Sequence, residues 1–125
     1  MVAISRDLKR LVYLISPNKI YSGFYTELNK VLASKNVSFF QLRIKNKSIS
    51  EVVKIAKKIK IITQKHNVKL IINDNFITTK KSDADGCHLG QKDGSIELAR
   101  KNIKKKIIGI TCHDSKKLAR LAYKN

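Results

Sequence analysis

Ala84-Asp85-Gly86-Cys87-His88-Leu89-Gly90-Gln91-Lys92-Asp93 is a short apolar strand pattern that opens into a polar exit bearing a glycine and a carboxylate. It is the fourth of five similar runs. Compact apolar stretches at 12–16, 37–44, 69–73, 85–89 and 107–111 read as strands, the third nearly all apolar, as a buried parallel strand should be. Between them, apolar residues recur at helical spacing. Phe24, Leu28, Val31 and Leu32 mark a helix over 24–34. Val52, Val53, Ile55, Ala56, Ile59, Ile62 and Thr63 form the stripe of a longer one, capped by Ser48 or Ser50 and ending near His66-Asn67. Shorter helices are expected over 75–81, over 95–103 with Ser95 as cap, and over 115–123 with Asp114 or Ser115 as cap. Strands alternating with helices imply a parallel α/β sheet with helical crossovers. Five βα units fit an open doubly wound sheet. A (β/α)8 barrel needs eight, usually in about 200 residues or more.

The chain has 125 residues, enough for one domain, and no linker or internal repeat divides residues 1–125. It carries 27 Lys and Arg against 9 Asp and Glu. Of the basic residues 22 are Lys, and they are spread along the chain, whereas nucleic-acid readout favours Arg forks and interleaved aromatics. A solvated lysine surface is therefore the simpler reading, with no specific nucleic-acid partner. No apolar run approaches a membrane span, and residues 1–10 lack the basic-then-apolar order of a signal peptide. Two widely spaced cysteines make no disulfide framework. The expectation is a soluble cytoplasmic protein with no membrane partner.

In parallel α/β folds the chemistry gathers at the C-terminal ends of the strands. Alternation along the second strand puts Gln41, Arg43 and Lys45 on one face. Two cations and an amide there call for an anionic partner, with Arg as a fork and Lys as a point charge. Asp74 follows the third strand. It is either a hard-cation ligand or the cap of the next helix. Asp93 could join it at Mg2+, which takes one or two carboxylates plus phosphate oxygens. Gly86 and Gly90 permit close backbone approach, and the Thr111 hydroxyl and nearby amides could hold a further phosphate oxygen. Cys87-His88 and Cys112-His113 suggest zinc only weakly, because neighbours on a strand point to opposite faces. His66 reads as a surface residue at a helix end.

Together these pieces resemble the thiamine phosphate synthase family. The matching runs are Tyr13-Leu14-Ile15-Ser16, Gln41-Leu42-Arg43-Ile44-Lys45, Ile71-Ile72-Asn73-Asp74, the Ala84–Asp93 stretch and Gly109-Ile110-Thr111-Cys112-His113, in the family's order and spacing. The resemblance implies an α/β (β/α)8 TIM barrel that couples hydroxymethylpyrimidine pyrophosphate to a thiazole phosphate with Mg2+ as cofactor. It implies that Arg43, Lys45 and Asn73 bind the pyrophosphate, that Asp74 and Asp93 hold Mg2+, and that Gln41 and His88 contact the pyrimidine. Thr111 stands where the family usually has Ser and keeps the hydroxyl. The family's mechanism is dissociative and needs no side-chain nucleophile, in keeping with a sequence that offers no nucleophile–base pair. The family's barrel continues through three further βα units, which carry a lysine of the pyrophosphate site and the loops for the thiazole phosphate. This chain stops at Asn125, so the expectation is an incomplete barrel of about five strands, with open edges at the first and fifth through which it would self-associate. Such a chain would hold the pyrimidine side of the site and lack full activity alone. The alternatives are a thiazole tautomerase-type relative, which would not need a Mg2+-pyrophosphate site, and a basic nucleic-acid-binding module.

Overall fold

In a computed structural model, residues 11–90, Lys92 and residues 95–125 are described. The N-terminal stretch 1–10 and Asp93, the second expected metal ligand, lie outside the described residues. Ten elements alternate strictly: β1 (Val12–Ile15), α1 (Phe24–Ala33), β2 (Val37–Leu42), α2 (Ile49–Lys65), β3 (Lys69–Asn73), α3 (Phe76–Ser82), β4 (Gly86–Leu89), α4 (Ile96–Ile103), β5 (Ile107–Ile110) and α5 (Lys116–Lys124).

The helices begin where short polar side chains can take an orphan amide. Ser48 and Glu51 form a reciprocal capping box at the start of α2. Asn75, Ser95 and Ser115 each accept the amide three residues on, at α3, α4 and α5. Asn67 after α2 and Asp83 after α3 take the left-handed turn that ends each helix. Asp74 is therefore not the cap of α3; Asn75 is.

All five strands pair in parallel in the order β1-β2-β3-β4-β5. A doubly wound sheet would reverse direction at a switch point. This one never does, so each right-handed crossover lays its helix on the same face. Leu14, Phe40, Leu70, Ile72, Cys87, Leu89, Ile108 and Ile110 stand in register on that face. They pack in two clusters, one with Phe24, Leu28, Leu32, Ala56 and Ile59, the other with Ala99, Ile103 and Phe76. Each fully buried Leu, Ile or Phe contributes about 1.5–3 kcal/mol. The α2 stripe buries Ala56, Ile59 and Thr63 fully, and Val52, Ile55 and Ile62 in part. On α1, Val31 departs from the expected core and is 46% exposed.

The opposite face carries Tyr13, Ile15, Phe39, Gln41, Ile71, Asn73, Gly86, His88 and Gly109. Among the described residues no helix covers it, yet Gln41 and Ile71 are buried, because the sheet curls and neighbouring strands crowd them. Gly86 belongs to that crowding: a Cβ there would lie 2.2 Å from the Ile107 carbonyl oxygen, inside the β4–β5 pairing. A singly wound, concave five-strand sheet with helices on its convex side is an arc of a TIM barrel that does not close on itself. β1 and β5 are its outer strands.

Candidate active site

The C-terminal strand ends converge on the concave face in an open cleft of about 480 Å3, lined among others by Tyr13, Gln41, Arg43, Asn73, Asp74 and His88. Lys45, Gly90 and Thr111 complete its rim. Every described residue expected from the sequence to bind a substrate or metal thus lies on one cleft: Gln41, Arg43 and Lys45 from β2 and its exit, Asn73 and Asp74 from β3, His88 from β4 and Thr111 after β5. Residue alternation explains the selection, since Gln41, Asn73 and His88 occupy concave-face positions while their neighbours enter the helix-side core.

Gln41 is buried and donates from Nε2 to the Tyr13 hydroxyl at 2.9 Å, which orients its amide along the floor. Tyr13 in turn stacks on Phe39. His88 Nε2 and Thr111 Oγ1 are 2.8 Å apart, so the ring and the hydroxyl hold each other. The ring fits because residue 109 is glycine: a Cβ there would sit 2.6 Å from His88 Nδ1. Asp74 has φ 67°, a left-handed turn that Asp tolerates better than most residues, and its amide donates to the His88 carbonyl at 2.7 Å. That bond ties the exit of β3 to β4 beside the cleft.

Three details correct the sequence reading. β2 was expected to reach residue 44 but ends at Leu42, leaving Arg43 and Lys45 exposed on its exit. Their need for an anionic partner therefore does not come from burial. It comes from the charge balance of the cleft, whose described lining carries Arg43 and Lys45 against one carboxylate, Asp74. Next, the Thr111 amide donates to the Leu89 carbonyl at 3.0 Å and extends the ladder, so only its hydroxyl is left for the cleft. Finally, Tyr13 lines the cleft and Ser16 and Asn18 support it from the β1–α1 loop, roles that their own stretch of sequence does not signal. Ser16 Oγ accepts the Arg43 amide at 2.9 Å, and Asn18 Oδ1 accepts the Lys45 amide at 2.8 Å. Tyr13 and Ser16 lie within a matching motif; nothing local marks Asn18.

Among the described residues no group of three or more His, Cys, Asp or Glu gathers to make a closed metal cage. Cys87 points into the helix-side core, away from the cleft, and burial pushes its thiol up to about 11. Among the described residues the cleft offers one carboxylate, Asp74, as an oxygen donor for a hard cation, beside two cations suited to phosphate oxygens. His66 bonds Asn29 across α1 and α2 at 2.8 Å, far from the cleft in function. Asp85 sits at the opposite, N-terminal end of the sheet. Its carboxylate accepts the Leu70 amide and the Lys60 ammonium, a stabilising contact. None of the helices among the described residues is long and apolar enough to cross a membrane.

Residues 12–125 match the family model for thiamine monophosphate synthase. The chain is 56% identical over 115 residues to a thiamine-phosphate synthase of Pelagibacter ubique, covering 91% of this chain and 56% of that protein. It is 38% identical over 116 residues to the one of Erythrobacter litoralis, covering 90% and 54%. The fold superposes with a TM-score of 0.70 on the thiamine phosphate pyrophosphorylase of Pyrococcus furiosus, at 27% identity, over 81% of this chain and 48% of that one. The chain thus spans about half the length of the curated relatives it matches. With an arc of parallel βα units and the strand-end residues gathered on one cleft, the chain belongs to the thiamine monophosphate synthase family.

Proposed function

We propose that this stretch forms the pyrimidine side of a thiamine-phosphate synthase site, where hydroxymethylpyrimidine pyrophosphate is bound and ionised before a thiazole phosphate attacks. The reading is carried by one observation: Gln41, Arg43, Lys45, Asn73, Asp74, His88 and Thr111, contributed by four different strands, line a single cleft. Arg43 and Lys45 face the pyrophosphate, Arg43 as a two-pronged donor and Lys45 as a mobile point charge. As the carbon–oxygen bond lengthens, negative charge accumulates on the leaving pyrophosphate. Cations already in position stabilise that charge more than the ground state and so lower the barrier. Asn73 donates to the same group without adding charge.

Asp74, with Asp93 as its companion, would hold Mg2+, which neutralises phosphate charge and templates the leaving group. Gln41, fixed by Tyr13, reads the edge of the pyrimidine, and His88, fixed by Thr111, packs beside it. The electron-rich aminopyrimidine itself carries the positive charge that develops on its methylene carbon, so no side chain attacks.

Thermal unfolding of the chain with Mg2+ and hydroxymethylpyrimidine pyrophosphate tests this. At a ligand concentration 100 times Kd the folded state gains about 2.7 kcal/mol. The gain should need Mg2+ and should vanish in Arg43→Ala and Asp74→Ala. A shift without Mg2+, or one that survives in both variants, would overturn the reading.

A further inference from the structure

β2 leaves the sheet at Leu42, and beyond it the amides of Arg43 and Lys45 have no strand to pair with. The last backbone bond between the two strands runs from the Ser16 amide to the Gln41 carbonyl, at 2.9 Å. Past that point two side chains of the β1–α1 loop continue the ladder in place of backbone carbonyls. Ser16 Oγ accepts the Arg43 amide at 2.9 Å and Asn18 Oδ1 accepts the Lys45 amide at 2.8 Å. The two bonds share one separation of 27 residues and advance two residues per step on both segments, the repeat of a parallel ladder. In each case the backbone anchored is that of a cation in the cleft.

We infer that Ser16 and Asn18 are positioning residues: they hold the exit of β2 extended so that Arg43 and Lys45 present their charges together to a pyrophosphate. The inference rests on the pyrophosphate reading of the cleft. Neither side chain needs to touch the ligand. An exit segment without these acceptors would sample other backbone conformations, and binding would then have to order it. Asn18 is exposed, so its truncation tests the role without endangering the core; Ser16 is buried.

The test is calorimetric titration of the chain with inorganic pyrophosphate and Mg2+, alongside amide hydrogen exchange. Asn18→Ala should weaken binding by about five- to tenfold, the scale of ordering one long side chain and its backbone. Its thermal midpoint should hardly change, and exchange should quicken selectively at the Lys45 amide. Ser16→Ala should act in the same way through Arg43, and Ser16→Thr, which keeps the hydroxyl, should restore binding. The deciding measurement is a cycle: in a Lys45→Ala background Asn18→Ala should cost nothing further, while in an Arg43→Ala background it should keep its full effect. Equal affinity of the chain and of Asn18→Ala, or an additive loss in the Lys45→Ala background, overturns the positioning role and leaves the pyrophosphate reading standing. No binding by the unaltered chain overturns both.

Discussion

Asp85 offers the sharpest separation of stability from binding. Its Oδ2 accepts the Leu70 amide at 2.7 Å and its Oδ1 accepts Lys60 Nζ at 2.8 Å. Leu70 is fully buried, so Asp85→Ala leaves an orphaned amide in the core, which costs about 1–3 kcal/mol. The lost ion pair adds little. Both side chains are about one-fifth exposed, and pairs near the surface are worth about 0–1 kcal/mol. The sum is about 1–4 kcal/mol, with most of it in the amide. Two controls divide it. Asp85→Asn keeps an acceptor for Leu70 and loses only the charge, and Lys60→Met removes only the ion pair, so each should cost about 1 kcal/mol or less. Urea unfolding should show a lower midpoint for Asp85→Ala at an unchanged slope. Because Asp85 precedes β4, at the end of the sheet away from the cleft, pyrophosphate affinity should stay the same in all three variants. If Asp85→Ala cost no more than Lys60→Met, the assignment of the energy to the Leu70 amide would be wrong.

Gly109→Ala would place a Cβ 2.6 Å from His88 Nδ1, and the ring must turn away from Thr111. The expected result is an altered His88 ring resonance and a destabilisation of about 1–3 kcal/mol; an unchanged resonance would refute the fit. At the start of α2, the Ser48 amide and then its hydroxyl hold Glu51 below its ordinary pKa of 4.5. A carboxylate depressed by folding stabilises above its unfolded pKa and loses that contribution as pH falls through the folded value. Thermal melts from pH 7 to pH 3 should therefore fall less steeply for Glu51→Gln than for the unaltered chain. With the Cys87 thiol raised to about 11, only about one molecule in a thousand carries its thiolate at pH 8. Iodoacetamide should label the half-buried Cys112 in the native chain, and Cys87 only after urea is added.

Sequence alone determined the number and order of the elements, because period-2 and period-3.6 patterns and caps such as Ser95 are local signals written within a few residues. The same locality made Gln41, Arg43, Lys45 and Asp74 legible as strand-end chemistry, whereas Asn73 and His88 drew their roles from the family resemblance. Three things were decided elsewhere. The strand order β1-β2-β3-β4-β5 depends on which crossover packs where, and five βα units alone point to an open doubly wound sheet instead. The end of β2 at Leu42 depends on where β1 stops offering partners, so the exposure of Arg43 and Lys45 did not follow from their own stretch. Ser16 and Asn18 meet the amides they anchor across 27 residues of chain, and only the parallel pairing of β1 with β2 brings them within hydrogen-bond reach. A periodic pattern records which face a residue occupies, whereas its partner on that face is set by strand pairing, a property of the folded sheet.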